Sequence, residues 1–153
     1  MKSLERKVPP PVVLLLVGGA MWWVARESPL IEISVTARIV AAGAIAALGI
    51  AIAVAGAVAL RRAGTTVNPI KPETATAMVT GGVYRFTRNP MYLGLLLLLV
   101  AWAVYLSSAW ALLGPLLFAL YITRFQIVPE ERAPRSLFGP AHEAYMSRTR
   151  RWL

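Results

Sequence analysis

The chain has 153 residues, 58% of them hydrophobic and 15% charged, with a formal net charge of +9, no cysteine and a single histidine, His142. The missing thiols exclude disulfides, thiolate metal sites and a cysteine nucleophile, and one histidine argues against a zinc or di-iron centre, so no metal is expected. A soluble domain of this size would show a polar face on most of its helices; long windows of this chain have none, which makes lipid the expected solvent for much of it.

The first apolar run, Val8 to Ala25, opens with three prolines, where missing amide donors matter least, and carries Trp22 and Trp23 near its end, where amphipathic rings suit a membrane interface. It reads as a transmembrane helix. Lys2, Arg6 and Lys7 ahead of it would also suit a signal peptide, but bulky tryptophans stand where a cleavage site needs small residues. Ile39 to Leu60 follows without a charge and is long enough to span about 30 Å of hydrocarbon. Small residues recur in it at four-residue spacing, Gly43 with Ala47 and Gly49 with Ala53, so another helix could approach closely, and the same face permits a homodimer.

Met91 to Leu106 and Ala109 to Val128 are two further runs separated by Ser107 and Ser108, a connection short enough to predict an antiparallel helical hairpin. Asn89 is placed as the N-cap of the first and Pro90 at its first helical position. Of the sixteen basic residues only Arg26 and Arg38 fall in the first external connection, and the serine pair carries none. The other fourteen lie in the N-terminal segment, the central loop and the C-terminal region, which the positive-inside rule assigns to the cytoplasm. That distribution explains the net charge, so nucleic-acid binding has no part to play. The expected fold is therefore all-α: a polytopic membrane bundle of about four helices with a C-terminal hairpin, forming one domain over residues 1–153.

The chemistry is expected in two cytoplasmic segments. The central loop of about 28 residues is longer than a simple helix connection and carries the turn signals Asn68-Pro69, Lys71-Pro72 and Gly81-Gly82, together with apolar Val79, Tyr84 and Phe86. After the fourth run comes Glu130-Glu131, in a chain with seven acids in all. Arg124, inside the last turns of that run, is a candidate because ionisable groups at membrane depth are costly, although snorkelling to the interface would also account for it.

Ala63 to Pro69, Met78 to Arg85 and Arg88 to Gly94, followed by Glu130-Glu131, Phe138-Gly139 and Tyr145, together resemble the isoprenylcysteine carboxyl methyltransferase and phospholipid methyltransferase superfamily of integral membrane enzymes. The likeness runs from about Arg61 to the C-terminal end and rests on the order of short pieces around a hairpin. It implies S-adenosylmethionine as cofactor and a lipophilic or lipid acceptor within the bilayer; with the charge distribution, the expected location is a bacterial inner membrane with both termini cytoplasmic. The cofactor region would be about 64–94 and 129–153. Carried over by position, cofactor contacts would be Thr76, Ala77, Met78 and Val79, then Tyr84, Asn89, Pro90, Met91 and Tyr92, with Glu130 and Glu131. Arg124 and Glu130 are the catalytic candidates.

The chain departs from the pattern in four places. Asn89 replaces a histidine found in several eukaryotic members, and Gln126 stands where the prenylcysteine enzymes have a substrate-gripping arginine, a role Arg124 is placed to assume. Pro134 and His142 replace a leucine and a tyrosine. A reductase related to the sterol reductases and a noncatalytic membrane adaptor are the alternatives; a small multidrug-type transporter would need a membrane-embedded acid that the spans lack.

Overall fold

The computed structural model describes residues 7–64 and 79–153, the side chains of residues 133–138 and 141–142 excepted. Every regular element in it is helical: α1 (Pro10–Arg26), α2 (Val35–Arg62), a 3₁₀ turn (Gly82–Arg85), α3 (Pro90–Leu106), a 3₁₀ turn (Ala109–Leu112), α4 (Leu113–Ile122), a π-helical turn (Thr123–Ile127) and α5 (Val128–Arg148). The turn signals Asn68-Pro69 and Lys71-Pro72 lie outside the described residues.

The helices alternate in direction. At one end Gln126 Nε2 donates to the Val8 carbonyl at 2.7 Å, and Gly56 of α2 packs against Pro90 at the start of α3. At the other, the Ile31 N–H donates to the Ser107 carbonyl and the Ser107 hydroxyl returns a bond to the Ile31 carbonyl, both at 2.7 Å. The starts of α1 and α3 and the ends of α2 and α4 therefore share one pole, called here the polar pole. Ser107 makes the hairpin turn in the left-handed region, φ 52°, and Ser108 leaves it extended.

Length and exposure fit a helical membrane bundle. Val35–Arg62 (28 residues) and Ala109–Arg132 (24 residues) are each apolar and long enough to cross a bilayer, while α1 and α3 have 17 residues, about 25 Å. Ile39, Val40, Leu48, Ile50 and Val54 of α2 and Leu116, Leu117 and Leu120 of α4 are all more than half exposed, far more apolar surface than a water-soluble monomer presents. The core lies between α1, α3 and α4, around Val13, Met21, Leu99, Phe118, Ile122 and Ile127. Trp102 fixes α3 to α1 by donating Nε1–H to the Gly18 carbonyl at 3.1 Å. α2 packs on α3 backbone to backbone: a Cβ on Gly94 would lie 2.5 Å from the Gly49 carbonyl oxygen and 2.6 Å from Ala53 Cβ. The Gly49 and Ala53 pair thus does admit a neighbouring helix, whereas Gly43 has nothing within 4 Å.

The structure extends two of the expected spans and changes the role of one cap. α2 begins at Val35 rather than Ile39, because the Ser34 hydroxyl accepts the Ala37 N–H at 3.2 Å and caps it early. Asn89 occupies the N-cap position but its side chain makes no cap bond. The fourth apolar run does not stop at Val128; the helix continues through Pro129, which can give no N–H to the Phe125 carbonyl and would crowd it, and the ladder widens into the π turn immediately before. α5 breaks only at Gly139, whose φ of 47° and ψ of −124° suit a residue without a Cβ.

Candidate active site at the polar pole

The turn that leads into α3 is set by glycine. Gly82 adopts φ 60°, and the Gly81 carbonyl accepts the Tyr84 N–H at 3.1 Å, so the chain winds once and buries the Tyr84 ring. The Tyr145 hydroxyl of α5 donates to the Tyr84 carbonyl at 2.7 Å. Pro90 then starts α3 and places Tyr92, 5% exposed, on the face toward α5, where its hydroxyl donates to Glu130 Oε1 at 2.5 Å. Tyr92 and Glu130, paired only through a resemblance in the sequence, are in direct contact.

Burial keeps the phenols protonated. It pushes Tyr84 well above the usual phenol range near 10, with negative charge on Tyr145 and Glu130 adding to the effect. Tyr145 is pushed up to about 12 by burial, while the neighbouring Arg88 pulls the other way. Two of the cluster's phenol protons are already committed, Tyr145 to the Tyr84 carbonyl and Tyr92 to Glu130.

Glu131 turns to different partners. Arg151 grips it with Nη2 at 2.7 Å and Nε at 3.2 Å, and Arg88 Nη1 stands 3.1 Å from Oε1 as an ion pair whose angle falls short of a hydrogen bond. Arg88 Nε is buried with no hydrogen-bond partner. The Asn89 amide, in place of capping α3, donates Nδ2–H to the Arg151 carbonyl at 2.9 Å.

Among the other candidates, Thr76, Ala77 and Met78 lie outside the described residues, as do the side chains of Pro134, Phe138 and His142. Val79 opens the described part of the loop and is half-buried; Pro90 is buried, Met91 half-buried, and both pack on Gly56. Arg124 is exposed on the π turn, its guanidinium 5.5 Å from the Phe125 ring centroid. Gln126, two residues on, is 2% exposed and bound to Val8, a structural tie between α4 and the start of α1.

Sequence reasoning gave Arg88 no role beyond opening the stretch that runs to Gly94, counted Arg151 only as positive charge, and missed Trp152 as part of the pole. The signal that pointed to them was the scarcity of acids, since any arginine buried at this pole needs one of very few carboxylates.

A family model described as phospholipid methyltransferase matches residues 37–141, which spans α2, the site loop, the hairpin and most of α5. A protein of Haemophilus influenzae described as uncharacterized is 46% identical over 63 residues, 41% of this chain and the whole of that protein. No solved structure matches the chain. The match covers well over half of the sequence and includes both segments that meet at Tyr92 and Glu130, and the chain belongs to the phospholipid methyltransferase family.

Proposed function

We propose that the chain is an S-adenosylmethionine-dependent methyltransferase acting on a lipophilic acceptor held in the bilayer, either a lipid head group or a carboxylate of the prenylcysteine kind. Its polar pole would face the cytoplasm of a bacterial inner membrane. The observation that carries this reading is the Tyr92 to Glu130 contact, which joins the two family segments where the apolar helices meet a polar, arginine-rich layer.

The residues at the pole fit such a cofactor. Glu130 offers a carboxylate to its ammonium, and the unpartnered Nε of Arg88 offers a buried donor to its carboxylate or ribose. Tyr84 and Tyr92 present aromatic rings to a sulfonium, an attraction worth about 0.5 to 2 kcal/mol. Residues 76–79 and Asn89, Pro90 and Met91 complete the proposed cofactor region. Glu131 takes part by holding Arg88 in place. When bound, the cofactor supplies a methyl group already activated by positively charged sulfur, so the protein's task is to align the acceptor and keep water out. Exposed Arg124 is the residue proposed to orient an anionic acceptor.

Incubating the purified protein with methyl-labelled S-adenosylmethionine and a membrane lipid extract tests the reading. Label should enter a lipid-soluble product with the parent and fall at least about tenfold with Glu130→Gln. No labelled product, or equal labelling by the variant, would end it.

A further inference from the structure

We infer that residues 150–152 form a positioning strap that fixes the turn before α3 against the start of α5 and thereby sets cofactor affinity; the second half rests on the function proposed above. After α5 ends at Arg148 the chain becomes extended at Thr149, which is buried, and runs back alongside residues 87–89. The Arg88 N–H donates to the Arg150 carbonyl at 3.0 Å, and the Arg151 carbonyl accepts from Asn89 Nδ2 at 2.9 Å and Thr87 Oγ1 at 3.3 Å. The Arg151 guanidinium then reaches across to Glu131. Trp152 anchors the strap by donating Nε1–H to Thr123 Oγ1 at 3.1 Å and packing on the core cluster that includes Tyr92, Ile122 and Ile127.

The strap therefore joins the same two segments as Tyr92 and Glu130 by separate contacts, and adds the π turn as its footing. The bonds to its backbone carbonyls fall on the irregular segment 87–89. The interior of the bundle is held separately by Gly49 against Gly94 and by Trp102 on Gly18. Loosening the strap should leave the helices packed while Arg88, Asn89 and Glu131 lose their fixed positions. Displacements of about 1 Å in such a site cost up to about a hundredfold.

The test compares the parent with Trp152→Ala, Arg151→Gln and Arg151→Lys in detergent, reading hydrogen exchange at the Arg88 amide and affinity for S-adenosylmethionine by calorimetry. Trp152→Ala should speed Arg88 exchange and weaken cofactor binding, each by about tenfold, with exchange in mid-α2 and mid-α3 unchanged. Arg151→Gln should shift both by about two- to threefold, and Arg151→Lys, which keeps a cation for Glu131, should stay nearer the parent. Unchanged Arg88 exchange in Trp152→Ala and Arg151→Gln overturns the strap. Faster exchange with undiminished affinity overturns its role in cofactor binding. A parent that binds no S-adenosylmethionine defeats the proposed function instead, and Arg88 exchange still decides the strap; should Trp152→Ala not fold, the Arg151 pair carries the comparison.

Discussion

The Tyr92 hydroxyl meets the Glu130 carboxylate at 2.5 Å across thirty-eight residues of chain, and the hairpin between them turns on Ser107 at the far pole. A bond to a charged acceptor at a half-buried position is worth about 1.5 to 3 kcal/mol, enough to hold the first turns of α3 and α5 in one relative position. Pro90 and Pro129 sit at the starts of those two helices, so each partner is presented from a turn with restricted backbone freedom.

Tyr92→Phe removes the hydroxyl and leaves the ring in the core, and Glu130→Gln keeps the shape while removing the charge. Each should weaken S-adenosylmethionine binding by about tenfold, about 1.4 kcal/mol, without unfolding the protein. Calorimetry in detergent reads this directly. Parent-like affinity in both variants would remove the pair from the cofactor site.

The α2 and α3 interface predicts a contrast between glycines. Gly94→Ala drives a methyl group into the Gly49 carbonyl and Ala53, so the helices must separate, at a cost of about 1 to 3 kcal/mol or more. Gly43→Ala meets open space and should be neutral or slightly stabilising, since alanine favours helix. Thermal unfolding of the two variants in the same detergent should separate them by several degrees; equal midpoints would contradict the close packing.

The buried phenols give the protein a definite alkaline response. Tyr145 has its folded pKa raised to about 12, and Tyr84 is raised as well, against about 10 in the unfolded chain. Below pH 10 both states hold these protons and stability is unaffected. As pH rises from 10 toward 12 the unfolded chain releases protons that the folded chain retains, so stability must fall. Absorbance titration should find at least two of the five tyrosines still protonated at pH 11. Tyr145→Phe should remove the step near pH 12. It should also lower stability at neutral pH by about 1 kcal/mol, because the Tyr84 carbonyl loses its donor.

The helices were legible because membrane segments announce themselves by length and lack of charge, and the hairpin because two serines leave room for no other connection. Ser34 was overlooked as a cap because Arg38 interrupts the apolar run that defined the helix from sequence. The extension of the last helix past Pro129 was illegible because proline ordinarily ends a ladder, and only a widened turn lets it continue. At the site, Tyr92 and Glu130 came from family likeness, since nothing in their spacing pairs residues thirty-eight apart. The partners of Glu131 had no local pattern at all, since Arg88 and Arg151 meet it only through tertiary folding.

The π turn carries the last pair of predictions, because Arg124 and Gln126 stand on it with opposite surroundings. Gln126 is buried and supplies the donor for the Val8 carbonyl; Gln126→Ala should leave that carbonyl unpaired and cost about 1 to 3 kcal/mol of stability, loosening the start of α1. Gln126→Arg would place a charge in the same closed position and should be more damaging still, so the arginine of the prenylcysteine enzymes could not simply be introduced there. Arg124 is exposed, and Arg124→Ala should change the unfolding midpoint little. If Arg124 orients an anionic acceptor, the variant should lose about ten- to a hundredfold in methyl transfer to a lipid extract while binding S-adenosylmethionine as the parent does. Undiminished transfer would assign Arg124 to the membrane interface and leave acceptor recognition to other residues of the pole.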